Sequence, residues 1–171
     1  MARRAGSGGG RGRPLGGAGA RGGGRGVGWA GTVGAWSREY FEKGCRPDIG
    51  DLVTWHENVV GVEKAGLLAK ARAMIFPIQW EEPFGMAMVE AMVSATPVVA
   101  MARGAASEIV EPGITGWLAE DIDGLVEAYG RIGEIDLELC VTQATERFGP
   151  QQLADGYQSV YETEIQESYH R

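Results

Sequence analysis

Two carboxylates, Glu82 and Glu90, frame a stretch of sequence in which nearly every other residue from Phe84 to Val93 is apolar. Gly85 lies between them, at the predicted start of a helix over residues 85–93. An ionised carboxylate that is buried without partners costs several kcal/mol or is forced to neutralise. Glu90 therefore needs a hydrogen-bonding partner, and that partner is either another part of the protein or a ligand.

The residues around Gly85 have the pattern of an anion-binding site. The apolar run 74–76 is a predicted buried strand, and a loop leads from it to the helix. The free amides of residues 85–87 and the positive end of the helix dipole favour a phosphate group at this end of a parallel sheet. Carboxylates beside such a site accept hydrogen bonds from sugar hydroxyls, so the pattern suggests a nucleotide sugar. The spacing alone leaves a second interpretation open, in which Glu82 is a helix-start charge and Glu90 a structural or exposed residue.

Helices and short apolar strands alternate through the rest of the chain, which is typical of a parallel sheet covered by helices. The predicted fold class is therefore α/β, with one Rossmann-like domain and helices at its C-terminal end. Strands are predicted at 52–55, 74–76, 97–100 and 116–118, helices at 62–73, 85–93, 122–129, 135–147 and 151–166, and a loop at 103–108. Ser37 is the predicted N-cap of a short helix that ends at Gly44.

Charge is distributed unevenly along the chain. Residues 1–28 carry six arginines and no acid, and removing these from the net charge of −7 leaves −13 on residues 29–171. A body this acidic is a poor binder of nucleic-acid backbones. The two cysteines form no metal-ligand spacing, and no apolar run is long enough to cross a membrane, so we expect a cytoplasmic protein without a transmembrane segment.

The predicted domain organisation has three parts. Residues 1–28 contain thirteen glycines and six arginines and little that could pack, so they are predicted to be a disordered tail. An RNA-binding Arg/Gly segment is the alternative, although no aromatic residue precedes Trp29. Residues 29–166 are the predicted nucleotide-sugar-binding domain, and residues 167–171 are a C-terminal tail.

A series of short motifs occurs between about Trp29 and Glu162 in a fixed order. They are Lys64-Ala65-Gly66-Leu67-Leu68, Ile75-Phe76-Pro77, Glu81-Glu82-Pro83-Phe84-Gly85, Glu90-Ala91-Met92, Thr96-Pro97-Val98-Val99, Gly104, Glu108-Ile109-Val110 and Gly113-Ile114-Thr115-Gly116. The series resembles the C-terminal, donor-binding domain of retaining family 4 glycosyltransferases (glycosyl transferase group 1), which is one half of a GT-B fold. This resemblance implies transfer of a hexose from a nucleotide-diphosphate sugar to an acceptor hydroxyl.

The resemblance also implies a role for each matching residue. Glu82 would bind hydroxyls of the transferred hexose as the catalytic-site carboxylate, and Glu90 would bind the ribose hydroxyls. Backbone amides for the sugar and diphosphate would come from Phe84, Gly85, Met86 and Ala87. Val59 would contact the base. No metal ion or other cofactor is expected. The resemblance also implies that no side-chain nucleophile is needed, because the leaving diphosphate takes the acceptor proton.

The chain departs from the family pattern in three respects. We expect it to lack the N-terminal acceptor domain, and it has no Gly-Arg…Lys-Gly stretch to neutralise the diphosphate. Ala95 stands where the family has glycine, at a predicted helix C-terminus that favours a left-handed residue. Loss of the cationic stretch weakens charge stabilisation in the transition state. We therefore expect an incomplete and inactive chain in isolation; the alternatives are an enzyme completed by an acceptor-domain partner and a non-catalytic interaction or RNA-associated module.

Overall fold

The computed structural model of this chain describes residues 8–10, 26–35 and 37–169. The strands are β1 (Gly8–Gly10), β2 (Val27–Gly31), β3 (Val53–Glu57), β4 (Met74–Phe76), β5 (Val98–Met101) and β6 (Gly116–Ala119). The α-helices are α1 (Arg38–Tyr40), α2 (Gly61–Lys70), α3 (Met86–Val93), α4 (Ala106–Ile109), α5 (Ile122–Gly130), α6 (Leu137–Phe148) and α7 (Pro150–Tyr169). A π-helical turn, Phe41–Cys45, continues α1, and 3-10 turns are formed by Arg46–Asp48 and Ile132–Glu134.

The six strands form one sheet in the order β3-β2-β1-β4-β5-β6. The pairs β2–β3, β4–β5 and β5–β6 are parallel, whereas β1 is antiparallel to both of its neighbours. The predicted α/β class with a parallel sheet and C-terminal helices is confirmed, and the one antiparallel strand was not anticipated. β6 lies at the edge of the sheet, as the sequence predicted for residues 116–118.

The strand at Gly8–Gly10 differs from the expectation of a disordered tail over residues 1–28. Three glycines carry no side-chain pattern that marks a strand, so only the pairing with β2 and β4 reveals it. Val27 and Gly28 belong to β2, so the boundary predicted at residue 28 was wrong as well. The rest of the predicted tail, residues 1–7 and 11–25, lies outside the described residues, as does the RNA-binding alternative placed on it. At the other end α7 continues to Tyr169, past the boundary predicted at residue 166.

The core lies around the middle of the sheet. Every residue of β5 is buried, and α3 contributes Met88 and Met92, which are fully inaccessible to solvent. Non-alternating apolar strands of this kind are expected where helices cover a sheet. α3 packs against α2, α4 and α6, while α5 packs on β5 and β6. In the part of the chain that the structure describes, no helix combines the length and apolarity needed to span a bilayer.

Most element boundaries agree with the sequence to within a few residues, and one element, the loop predicted at 103–108, was wrong. The helix predicted at 62–73 is α2, which begins one residue earlier and ends at Lys70. Residues 103–108 were predicted as a loop, yet α4 begins within them at Ala106. Ser37 is the N-cap of the short helix, as predicted, but it makes no side-chain capping bond. The π-helical turn that continues this helix ends at Cys45, one residue past the end predicted at Gly44.

Ala95 ends α3 in the left-handed region, with φ of 59°. Its amide donates to the carbonyl of Met92, and the amide of Thr96 donates to that of Ala91. These two bonds form a Schellman motif, which favours glycine at the left-handed position. The sequence-based expectation that this position wants a left-handed residue is therefore confirmed.

Ala95→Gly should raise the free energy of unfolding by about 1 kcal/mol, because it removes the steric cost of a left-handed alanine. Urea denaturation followed by circular dichroism measures the difference. Ala69→Gly, the same change inside α2, should instead lower stability by about 1 kcal/mol. A loss of stability in Ala95→Gly as large as that in Ala69→Gly would contradict the assignment.

Cys140 in α6 is fully buried, with its sulfur 3.9 Å from the carbonyl oxygens of Met92 and Thr115. Burial raises the pKa of this thiol to about 11, because the thiolate would lie in an apolar environment. In the unfolded chain the thiol ionises near its usual value of 9.0. Between these two values the unfolded state binds fewer protons, so stability falls as pH rises.

We therefore expect the free energy of unfolding to fall between pH 9 and 11 more steeply in the wild type than in Cys140→Ala. Denaturation at half-unit pH steps measures both slopes, and titrations shared by the two proteins cancel in the difference. Identical slopes would contradict the assigned ionisation of Cys140.

Candidate functional site

A cavity of about 730 Å³ opens at the carboxyl ends of β2 and β4. The chain segments that follow these two strands, residues 31–33 and 77–80, form part of its wall. Its aromatic lining consists of Trp29, Tyr40, Phe41, Trp55, Phe76 and Trp80. The beginning of α3 closes another side through Gly85, Met86 and Ala87. The carboxyl edge of the sheet therefore carries a concave, largely aromatic site, as expected for ligand binding in this class of fold.

Two hydrogen bonds hold the carboxylate of Glu82 close to the N-terminal end of α3. Its Oε1 accepts a hydrogen bond from the amide of Gly85 at 3.1 Å, and its Oε2 accepts one from the indole Nε1 of Trp80 at 3.2 Å. Gly85 is the N-cap of the helix and has φ of 72°, a left-handed conformation that glycine adopts without steric cost. The side chain of Glu82 is half-buried and lines the cavity. These bonds orient one carboxylate towards the space in front of the helix.

The loop after β5, which contains Gly104, packs against the loop that carries Glu81 and Glu82. The amide of Gly104 donates to Oε2 of Glu81 at 2.6 Å, and the amide of Ala105 donates to the carbonyl of Glu82 at 2.8 Å. Gly104 has φ of 50°, and a Cβ atom added there would lie 2.5 Å from both the amide nitrogen and the carbonyl oxygen of Glu82. The loop after β5 thus packs backbone to backbone against the residues that carry the Glu82 carboxylate.

The amides at the start of α3 are open to a ligand. The amide of Met88 donates to the carbonyl of Gly85 at 2.8 Å. The amides of Met86 and Ala87 have no acceptor among the residues that the structure describes. Met86 is exposed and Ala87 is half-buried beside the cavity. Two free amides at the positive end of a helix dipole are chemically suited to an anionic group.

Glu90 lies one helical turn beyond Met86, and a residue of the protein satisfies it. The Nζ atom of Lys64, on α2, is 2.6 Å from Oε1 of Glu90. The Glu90 side chain keeps 33% of its surface exposed, so the carboxylate is not isolated in the core. The sequence indicated that Glu90 needs a partner, and the structure provides Lys64 from a neighbouring helix.

The structure brings four of the predicted site residues together around one cavity: Glu82, Gly85, Met86 and Ala87. Three others lie apart from its lining. Phe84 is 51% exposed, Glu90 pairs with Lys64, and Val59 is half-buried in the segment after β3. The contacts of all seven residues with a ligand remain predictions.

Several aromatic residues of the cavity were not predicted from the sequence. Phe41 and Trp55 face one another with ring centroids 4.8 Å apart, although they come from the π-helical turn and from β3. Only the pairing of Trp55 with Trp29 across β2 and β3 places these rings at one end of the sheet. Cys45 also lines the cavity, and burial together with the charge of Asp48 raises the pKa of its thiol. No local sequence pattern connects residues so far apart.

Residues 8–10, 26–35 and 37–169, which the structure describes, contain no candidate metal centre. No group of three histidine, cysteine, aspartate or glutamate side chains is arranged there to hold an ion. The side chains that line the cavity include the Glu82 carboxylate, the hydroxyls of Ser37 and Tyr40, the thiol of Cys45 and several aromatic rings.

Comparison with known proteins places this site in context. A family profile described as "Glycosyl transferases group 1" matches residues 29–134. An MMP alpha-(1->4)-mannosyltransferase of Mycolicibacterium hassiacum is 35% identical over 126 residues, which are 68% of this chain and 30% of that protein. Spore coat protein SA of Bacillus subtilis is 27% identical over 124 residues, which are 66% of this chain and 32% of that protein. The chain thus spans about a third of the length of these curated relatives.

A solved structure has the same fold. AviGT4, a glycosyltransferase involved in avilamycin A biosynthesis, superposes with a TM-score of 0.65 and 29% identity over 79% of this chain and 42% of AviGT4. This partial coverage agrees with one half of a GT-B fold. The profile match covers the loop that carries Glu82, the loop that carries Gly104, and α3, and these three segments form the site. The chain accordingly belongs to the group 1 glycosyltransferase family.

Proposed function

We propose that this chain binds a nucleotide-diphosphate sugar and presents its hexose for transfer, with retention, to an acceptor hydroxyl. The observation that carries the proposal is the arrangement at the start of α3, where unpartnered amides of Met86 and Ala87 adjoin the oriented carboxylate of Glu82. A diphosphate is attracted to the amides, and sugar hydroxyls donate to the carboxylate. Few ligands combine these two features as well as a nucleotide sugar does.

The three parts of the donor have separate places in this proposal. The diphosphate lies against the amides at the helix start, and the hexose lies in front of Glu82. Glu90 is four residues beyond Met86, about 6 Å farther along the helix at ~1.5 Å per residue. That distance is suitable for the ribose of the nucleotide, which adjoins the diphosphate, and Val59 is then on the side of the base.

Transfer needs no side-chain nucleophile in this mechanism. The acceptor oxygen forms its bond to the anomeric carbon on the face from which the diphosphate leaves, and the acceptor proton passes to a departing phosphate oxygen. Glu82 holds the hexose hydroxyls so that the reacting atoms remain close together.

We further propose that a second domain binds the acceptor, as in a complete GT-B enzyme. Support comes from the relatives that carry glycosyltransferase names, which include the mannosyltransferase and a D-inositol 3-phosphate glycosyltransferase of Streptomyces griseus, 33% identical over 87 residues. This chain covers 18% of the latter protein. The hexose donor and the acceptor hydroxyl are suggested by this family context rather than by the cavity alone.

Saturation-transfer NMR of the full chain with UDP, GDP, UDP-glucose and GDP-mannose tests the donor site. Glu90→Ala should weaken nucleotide binding about tenfold, because a charge-assisted hydrogen bond is lost. Glu146→Ala, which removes an exposed carboxylate from α6, is the matched control and should bind like the wild type. Equal binding by Glu90→Ala and the wild type would remove Glu90 from the ribose role.

The same measurement tests the proposal that no metal ion takes part. Treatment with excess EDTA should leave the affinity for each nucleotide unchanged, since amides and carboxylates supply all the proposed contacts. A loss of binding that Mg²⁺ or Mn²⁺ restores would overturn the metal-free proposal.

A further inference from the structure

We propose that Lys64 is a positioning residue for donor binding, which fixes the Glu90 carboxylate towards the ribose and offsets its charge beside the diphosphate. This inference rests on the proposed function. It concerns a residue whose 2.6 Å contact with Glu90 crosses from α2 to α3 and joins residues 26 positions apart.

The exposure of this ion pair argues against a purely structural role. The side chains of Lys64 and Glu90 keep 40% and 33% of their surfaces exposed. Exposed ion pairs contribute little to stability, because water screens them and two long side chains lose freedom. A buried contact also joins α2 to the segment after α3, since the hydroxyl of Thr96 donates to the carbonyl of Leu68.

The geometry leaves half of the Glu90 carboxylate available. Lys64 contacts Oε1, and Oε2 has no partner within the described part of the chain. An ionised carboxylate accepts hydrogen bonds at about four lone-pair positions. Holding one oxygen removes rotational freedom from the side chain, so the other oxygen is oriented before a ligand arrives.

Lys64 also lies between two parts of the proposed donor site. It is in the first turn of α2, where its amide is 3.5 Å from the carbonyl of Val60, immediately after Val59. Its side chain reaches Glu90 on α3. Lys64 therefore connects two parts of the proposed site. One is the segment after Val59, which is proposed to contact the base, and the other is the Glu90 carboxylate, which is proposed to contact the ribose.

The balance of charge near the start of α3 also supports a role for Lys64 in donor binding. Glu81, Glu82 and Glu90 are all close to the start of α3, where the diphosphate is proposed to bind. A third negative charge within a Debye length of a diphosphate weakens its binding. The ammonium group of Lys64 compensates the nearest part of that charge while leaving the carboxylate able to accept hydroxyl groups.

Calorimetric titration of the full chain with UDP and GDP, each compared with its 2′,3′-dideoxy counterpart, tests this role. The quantity measured is the ratio of dissociation constants, dideoxy to ribo, which we expect to be about tenfold in the wild type. Lys64→Met should reduce that ratio at least threefold, and Lys64→Arg should restore most of it. A residue that only stabilises the fold would change both affinities together and leave the ratio intact.

Two further variants make the outcomes distinguishable. Lys70→Met, the same change in the last turn of α2, should keep the wild-type ratio, and Glu90→Gln should bring the ratio close to one. Loss of the ratio in Glu90→Gln with full retention in Lys64→Met would overturn the Lys64 assignment alone. Retention of the ratio in Glu90→Gln, or absence of nucleotide binding by the wild type, would overturn the proposed function and the Lys64 role with it.

Discussion

Gly104→Ala is expected to lower the free energy of unfolding by about 3 kcal/mol and to disturb the donor site at the same time. An alanine at φ of 50° costs ~1–2 kcal/mol, and its Cβ would lie 2.5 Å from two backbone atoms of Glu82, which adds ~1–3 kcal/mol of overpacking. Backbone cannot rotate out of the way as a side chain can. The clash is relieved only if the loop that carries Glu82 moves.

Urea denaturation and titration with UDP-glucose measure the two effects on the same variant. Gly50→Ala is the matched control, because Gly50 lacks a positive φ and has nothing within 4 Å of an added Cβ. We expect its stability to remain within about 0.5 kcal/mol of the wild type. A Gly104→Ala protein with wild-type stability and affinity would show that the two loops do not support each other as described.

Glu82→Gln is expected to abolish most of the preference for a nucleotide sugar over the bare nucleotide. The glutamine can still accept the bond from the Gly85 amide, but it has one acceptor oxygen instead of two and no charge. Loss of charge-assisted bonds to sugar hydroxyls corresponds to a decrease of about tenfold or more. The affinity for the bare nucleotide should change little, because Glu82 is proposed to contact only the hexose.

The neighbouring carboxylate provides the control for this experiment. Glu81→Gln changes the same chemistry one residue away, and its amide oxygen can still accept the bond from Gly104. Titrations with UDP-glucose against UDP and with GDP-mannose against GDP give the preference for each variant. An equal decrease in both variants would indicate a general change in the loop, and an unchanged preference in Glu82→Gln would remove its role at the sugar.

Local sequence pattern was sufficient for much of the fold. The runs 74–76 and 97–100 were predicted as buried strands because parallel strands covered by helices are apolar without alternation, and β4 and β5 match them. The left-handed end of α3 at Ala95 was expected from the family resemblance instead, because the family has glycine at this position. The wrongly predicted loop at 103–108 contains the start of α4, which is too short to have a helical period of its own.

The candidate site was predictable only in part. Glu82, Gly85, Met86 and Ala87 are close in sequence, so a strand, a loop and a helix start were enough to group them around the cavity. Gly104 is one of the motifs that carry the family resemblance. Its contact with Glu82, however, depends on the packing of two segments more than twenty residues apart. Its importance could not be derived from spacing.

Glu82 and Glu90 illustrate which features of the site follow from the sequence and which depend on the tertiary structure. The sequence by itself determined that two carboxylates flank a glycine at a helix start, that the fold is α/β, and that Glu90 requires a partner. Only the tertiary structure decided that the partner is Lys64, that Trp80 and the Gly85 amide orient Glu82, and that Gly8–Gly10 joins the sheet. Side-chain periodicity reports which face of an element is buried, whereas contacts between distant elements depend on how the whole chain packs.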